Sequence, residues 1–76
     1  MVLSLSAGGT YISSFPGTTE IPIKDYYSTI DYTWHYVGNE VYQFHLPNSP
    51  FNAYTNFVPG SSYFIHTLSE TDIIIP

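Results

Sequence analysis

The sequence contains no cysteine and no arginine, and Lys24 is its only lysine. Without cysteine, the chain can form neither a disulfide nor a thiolate metal site. Phosphate groups are bound mainly by Lys and Arg, so we expect no nucleic-acid partner and no anionic membrane surface. Six acidic residues give a net charge of −5, yet charged residues make up only 9% of the chain. Because soluble domains usually carry about 25% charged residues, we expect neighbouring molecules to cover part of this surface.

Signals for export and for membrane insertion are also absent from the sequence. The residues after Met1 lack the basic stretch and the long apolar run of a signal peptide. No segment approaches the roughly 20 apolar residues that cross a bilayer. We therefore expect a protein that is made in a cytoplasm without export.

Aromatic residues are abundant, at 18% of the chain, with eight tyrosines, five phenylalanines and one tryptophan. The 76 residues are enough for one domain, residues 1–76. A domain of this size hides only about 60% of its unfolded surface when it folds. Because each large ring can bury roughly 150–250 Å², we expect aromatic packing to supply much of the core.

Short apolar or alternating runs, separated by Gly, Pro, Asn and Ser, extend along the whole chain and predict an all-β protein. The expected architecture is a small antiparallel β-sandwich or partly open barrel of about five to seven short strands. At most one helical turn is expected, within residues 24–30. The runs lie at 2–6, 11–15, 18–23, 31–37, 41–46, 62–68 and 73–75.

The segment DYTWHYVGNEVYQFH at 31–45 predicts a β-hairpin that turns at Gly38-Asn39, since glycine accepts the positive φ of a tight turn. That turn would place Tyr36 opposite Val41 and His35 opposite Tyr42. One predicted face carries Tyr32, Trp34, Tyr36, Val41, Gln43 and His45. The other carries Thr33, His35, Val37, Glu40, Tyr42, Phe44 and Leu46. Neither face is polar, so we expect both to be covered.

Three segments together resemble a small all-β module of secreted or surface proteins of microbes, similar to domains in phage virion proteins. The segment LSLSAGGTYISSFP is similar to its opening pattern "aGWN.IS.P", and IDYTWHYVGNEVYQFHLP to its centre "VW.Y". The segment FVPGSSYFIH is similar to its close "L.pG.GYWI". Gly9, Tyr42 (or Val41) and Phe64 stand where the module has tryptophan, whereas Trp34 is retained. The resemblance implies a β-fold in which these positions pack, and it implies no catalytic residue.

Catalytic and metal sites find little support in the residue pattern. The predicted register directs His35 and His45 to opposite faces, and His66 lies on another strand, so no metal site is expected. Glu20, Asp25, Asp31, Glu40, Glu70 and Asp72 fall mostly at predicted strand ends or turns, where acids are usually solvated. We therefore expect no catalytic residue, no metal, no cofactor and no enzymatic activity.

A non-enzymatic structural component of a virus particle is the leading hypothesis, because low charge and many tyrosines are typical of protein interfaces. A phage capsid decoration (cement) protein or a small tail or fibre subunit fits best. Its partners would be other virion proteins and copies of itself, and its location the virion, assembled in the host cytoplasm and then extracellular. The predicted core is Trp34, Tyr36, Phe57, Tyr63 and Phe64. The predicted partner interface is His35, Tyr42, Phe44, Ile73 and Ile75.

The alternative hypothesis is a surface carbohydrate-binding or adhesion module. Aromatic rings next to amide side chains can stack on sugars and bind their hydroxyl groups. Tyr32, Trp34, Tyr36 and Gln43 would suit this role on one face of the predicted hairpin.

Overall fold

The computed structural model describes all 76 residues, and eight β-strands account for most of its regular structure. The strands are β1 (Val2–Leu5), β2 (Gly8–Ile12), β3 (Ile21–Pro22), β4 (Ile30–Gly38), β5 (Val41–His45), β6 (Asn56–Phe57), β7 (Tyr63–Thr67) and β8 (Thr71–Ile74). One 3-10 turn (Ile23–Tyr26) overlaps the segment 24–30, where a helical turn is predicted, and begins one residue before it. The small all-β architecture is thus confirmed, with eight strands. The structure has no helix with the length and apolar character needed to cross a membrane.

The strands form three antiparallel sheets that do not close into a barrel. A central four-stranded sheet has the order β2-β7-β4-β5. Two smaller sheets, β1-β8 and β3-β6, complete the fold. The pairing of β1 with β8 brings Met1 beside Ile75, whose N–H donates to the Met1 carbonyl at 2.8 Å.

The hydrophobic core lies between one face of the central sheet and the two smaller sheets. Tyr63 and Ile65 of β7 point into it, because alternate residues of a strand share a face. Phe15 stacks on Phe57 with ring centroids 4.8 Å apart, and the Tyr63 ring meets Phe57 edge-on at 5.1 Å. The ten buried core residues are Leu5, Phe15, Ile21, Ile23, Ile30, Phe57, Tyr63, Ile65, Ile73 and Ile75.

The β4-β5 hairpin has a register one residue away from the predicted one. Tyr36 lies opposite Tyr42, and Trp34 lies opposite Phe44. The turn residues are Asn39 and Glu40, both with positive φ, and a bulge between Tyr36 and Gly38 leaves Val37 without a partner in β5. Because successive side chains alternate between faces, a slip of one residue moves every β5 side chain to the other face.

This slip changes the predicted core. Phe57 and Tyr63 are buried as predicted. Trp34, Tyr36 and Phe64, however, lie on the face of the central sheet away from the core, where Tyr36 is 44% exposed. Their assignment to the core is therefore wrong. Together with Tyr42 and Phe44, they lie on a face that no second layer covers.

The predicted place of Ile73 and Ile75 at the partner interface is also wrong. Ile73 is 0% exposed and Ile75 is 2% exposed. The strand that carries Ile73 pairs with β1 of the same chain, so its edge is not free for a neighbour on that side. Both isoleucines belong to the hydrophobic core.

Candidate functional site

The side of the central sheet away from the core carries aromatic side chains from all four strands. The pairing of Tyr11 with Phe64 and of Trp34 with both Phe64 and Phe44 extends this set across the sheet. We call it the aromatic face. It consists of Tyr11, Tyr32, Trp34, Tyr36, Tyr42, Phe44, Phe64 and His66.

Four of these rings form a continuous row across β4 and β7. Phe64 lies nearly parallel to Trp34, with centroids 5.2 Å apart, and nearly parallel to Tyr32, at 6.4 Å. Tyr32 in turn stacks on His66 at 5.0 Å with an interplanar angle of 6°. At the other end of the row, Tyr42 meets Trp34 edge-on at 4.7 Å. The rings therefore hold one another in place and form a preorganised surface.

Gly9 gives Phe64 the space it occupies in this row. A Cβ atom at Gly9 would lie 2.3 Å from the Phe64 Cζ atom, well inside contact distance. The sequence AGG predicts a break before β2, yet β2 begins at Gly8 and includes Gly9. A glycine within a strand often marks such a close approach, here by an aromatic ring rather than by backbone.

The half of the aromatic face nearest the β4-β5 turn is open to solvent. Tyr11 and Phe44 are 60% and 54% exposed. A shallow groove of about 250 Å³ there is lined by Tyr11, Trp34, Tyr36, Glu40 and Tyr42. The polar side-chain groups of its lining residues are tyrosine hydroxyls, the Trp34 indole N–H and the Glu40 carboxylate, so it can accept a flat, largely apolar partner with a few hydrogen bonds at the rim.

Charge on the aromatic face is confined to its ends. At one end, His66 contacts the Asp31 carboxylate at 3.1 Å, and both side chains are partly exposed. At the other end, the exposed Glu40 donates its backbone N–H to the Tyr36 hydroxyl at 3.3 Å. The rings between these ends therefore meet a partner without the desolvation of an ion.

His35 and His45 both point inward, which corrects the prediction that they lie on opposite faces. Because a carbonyl only accepts, the His45 Nδ1–H must donate to the Tyr54 carbonyl, at 2.6 Å. In the neutral ring, Nε2 then accepts the Tyr27 hydroxyl proton, at 2.5 Å. His35 donates from Nδ1 to the Ser62 carbonyl at 2.7 Å, so it is a structural residue rather than a surface residue of the predicted interface.

Tyr54 packs between these two histidines, and its ring centroid lies 5.9 Å from that of His35 and 5.7 Å from that of His45. Its hydroxyl is hydrogen-bonded to the hydroxyl of buried Thr33. Burial raises the pKa of Tyr54 to about 12, an effect that the Thr33 hydrogen bond partly offsets and that nearby Tyr63 reinforces. Burial also raises the pKa of Tyr63, although the Val58 N–H that its hydroxyl accepts acts in the opposite direction.

These raised pKa values predict a loss of stability at alkaline pH. An unfolded tyrosine ionises near pH 10, whereas folded Tyr54 keeps its proton to about pH 12. Stability is therefore complete below pH 10 and falls as pH rises through that interval. After allowance for partial exposure, we expect Tyr54 to account for a loss of about 1–2 kcal/mol. Urea unfolding at about pH 9 and about pH 11 measures it; a Tyr54→Phe variant with an equally steep pH dependence would contradict it.

The acidic side chains do not gather at the aromatic face, and all six are exposed. Glu70 and Asp72 line a polar groove of about 370 Å³ with Ser4, Leu5 and Ser6, beside the β1-β8 sheet. Glu20 accepts a hydrogen bond from the Asn56 amide at 3.2 Å. No group of three or more histidine, aspartate or glutamate side chains is placed to hold a metal ion.

Of the predicted interface residues, the structure brings Tyr42 and Phe44 together on the open half of the aromatic face. Tyr11, which is not among the predicted interface residues, joins them there. The sequence feature that indicates this position of Tyr11 is the Gly9-x-Tyr11 spacing, which places the glycine and the tyrosine on one side of a strand.

The positions that carry the resemblance to the surface-protein module also converge on this face. Phe64 lies over Gly9 and stacks on Trp34, and Tyr42 meets Trp34 edge-on. No family model, no curated protein and no solved structure matches the chain.

Proposed function

We propose that the chain is a non-catalytic assembly protein that binds another protein through its aromatic face. The observation that carries this proposal is the contiguous set of aromatic rings on the outer side of the central sheet, which nothing in the chain covers. Exposed apolar patches of this kind mark interaction sites in soluble proteins.

The composition of the aromatic face supports a protein partner. Interface cores are rich in Tyr, Trp and Phe and poor in Lys, which matches this face. Its rings are already ordered by stacking, so binding costs little side-chain entropy. The chain's charge of −5, with Lys24 as the sole basic side chain, favours a partner that is neutral or basic around the contact.

A virus particle is the setting in which we propose that this protein works, as a capsid decoration protein or as a small tail or fibre subunit. The resemblance to a module with counterparts in phage virion proteins supports this setting. The single exposed Lys24 would also leave a trypsin-like protease one cleavage site, which suits a protein that works outside the cell.

Rebinding to purified phage particles tests the proposal. Particles from the source would be purified by density gradient, searched for the 8.6 kDa chain, stripped of it and incubated with recombinant protein. We expect wild-type protein to rebind and the Tyr11→Ser, Tyr36→Ser double variant to bind at least about 30-fold more weakly, because truncation of even one aromatic anchor typically costs about 2 kcal/mol or more.

Leu68→Ser is the matched control, since Leu68 is an exposed apolar residue outside the aromatic face. We expect this variant to rebind like wild type. If the chain is absent from particles, or if all three proteins rebind equally, the proposed function is wrong.

Carbohydrate binding is the second candidate, and the groove near Glu40 is the observation that favours it. A carboxylate beside tyrosine hydroxyls can accept and donate hydrogen bonds to sugar hydroxyls. The stacked row weighs against it, because Trp34 and Phe64 already turn ring faces toward each other. A glycan array probed with wild type and with the Tyr11→Ser, Tyr36→Ser variant separates the two candidate functions. If wild type binds a specific glycan and the variant does not, carbohydrate recognition replaces assembly as the proposed function.

A further inference from the structure

The strand β5 is an open edge of the central sheet. It pairs with β4 on one side and with no strand on the other. Its five residues, Val41–His45, include neither an acid nor a lysine. Proteins usually protect long apolar edges with charged residues or proline, so an unprotected edge is a candidate for pairing with another strand.

The hydrogen bonds of Leu46 reveal which backbone groups of β5 point outward. The Leu46 N–H donates to the Asn52 side-chain oxygen at 2.9 Å, and the Asn52 amide donates back to the Leu46 carbonyl at 3.1 Å. Asn52 therefore takes the place of a neighbouring strand at this residue. Because N–H and C=O directions alternate along a strand, those of Phe44 and Tyr42 also point to the open side.

Features at both ends of β5 limit the open edge to Tyr42 and Phe44. Beyond one end, Asn52 already occupies the backbone groups of Leu46. Beyond the other end, Glu40 has a φ of 61°, which interrupts the extended backbone. No hydrogen bond outside the sheet ladder involves the backbone of Tyr42 or Phe44.

We propose that β5 pairs with β5 of a second copy of this chain, antiparallel about a two-fold axis at Gln43. Tyr42 then lies opposite Phe44 of the second copy, and each such pair exchanges two backbone hydrogen bonds. The two four-stranded sheets become one continuous sheet, and the aromatic face extends across the axis. Aromatic pairs directly opposite each other stabilise neighbouring strands.

A second copy fits this edge because the edge is self-complementary. A two-fold axis at Gln43 sets the register in which Tyr42 and Phe44 of one copy pair with Phe44 and Tyr42 of the other. A net charge of −5 on each copy does not oppose it locally, since no charged residue lies within Val41–His45. The other open edge of the sheet, β2, is less regular, because Gly8 has a φ of 106°.

Charge complementation between two double variants tests the proposed register. One variant carries Tyr42→Lys and Phe44→Lys, and the other carries Tyr42→Glu and Phe44→Glu. Each alone places like charges opposite each other across the axis, whereas a mixture places opposite charges there. Light scattering and sedimentation from about 10 μM to about 1 mM suit such a small interface. We expect wild type to dimerise, each variant to be monomeric, and the mixture to form heterodimers.

A second pair of variants separates the contribution of the Phe44 backbone N–H to the dimer from the contribution of its ring. Proline is tolerated at an edge residue whose N–H faces outward, so Phe44→Pro removes that donor while β4-β5 pairing persists. Phe44→Ala removes the same ring and keeps the donor. Phe44→Pro loses a backbone hydrogen bond at each of the two symmetric positions, so we expect its dimer to dissociate about 10- to 30-fold more readily than that of Phe44→Ala.

Amide hydrogen exchange in the wild type gives an independent result. We expect protection of the Tyr42 and Phe44 amides to rise with protein concentration, while that of Gln43, which faces β4, stays constant. The proposal is overturned if the wild type remains monomeric or forms assemblies larger than dimers. It is also overturned if the mixture of the two charged variants stays monomeric. Self-association and particle rebinding are measured separately on the wild-type protein, so dimerisation can fail while particle binding succeeds, and the reverse.

Discussion

Replacement of Phe57 by alanine is expected to lower the free energy of unfolding by about 3–5 kcal/mol, because truncation of a buried ring leaves a cavity. Phe57 is 0% exposed, stacks on Phe15 at 4.8 Å and receives the edge of Tyr63 at 5.1 Å. Small domains are stable by only about 5–15 kcal/mol, so a loss of this size leaves much of the population unfolded. Urea unfolding followed by circular dichroism measures it.

Phe51→Ala is the matched control for this change. Phe51 is 92% exposed, so the same truncation removes almost no buried surface. We expect a change within about 0.5 kcal/mol of wild type. If the two variants were equally stable, the stacked pair of Phe15 and Phe57 could not be the centre of the core.

Replacement of His45 by leucine is expected to cost about 2–4 kcal/mol, although leucine is apolar and of similar size. His45 is 1% exposed and bridges the Tyr27 hydroxyl and the Tyr54 carbonyl. Leucine leaves both of these groups without a partner, and an orphaned buried polar group costs about 1–3 kcal/mol. Urea unfolding of His45→Leu beside wild type gives the difference.

Two further variants show whether orphaned polar groups are the cause. His66→Leu removes a partly exposed histidine whose partner Asp31 can turn to water, so we expect a change below about 0.5 kcal/mol. Adding Tyr27→Phe to His45→Leu removes one orphaned hydroxyl and should restore about 1 kcal/mol. Equal losses for His45→Leu and His66→Leu would show that the buried bridge contributes nothing.

Most of the β-strands and the 3-10 turn could be predicted from the sequence because alternation and turn residues are local signals, although no predicted run covers β6 (Asn56–Phe57). The assignment of faces could not, because it depends on one residue at the β4-β5 turn. Gly38-Asn39 is the expected pair, yet Glu40 adopts the left-handed φ of 61° that long side chains seldom take. A bulge between Tyr36 and Gly38 then shifts the register, and the whole of β5 changes sides.

The composition of the core was mispredicted for a related reason. The abundance of rings suggested an aromatic core, but isoleucines provide six of its ten buried residues. Phe15, Phe57 and Tyr63 are the aromatic members. Counting residue types does not reveal which side of a sheet they occupy, and most rings of the central sheet lie on its outer side.

Trp34 is the only tryptophan of the chain, and it lies in the stacked row rather than in the core. Its fluorescence therefore reports on the surface of the sheet. A partner that covers the aromatic face should shift the emission to shorter wavelength while the circular dichroism stays constant. The natural sequence thus contains an optical probe for titrating candidate partners without a label.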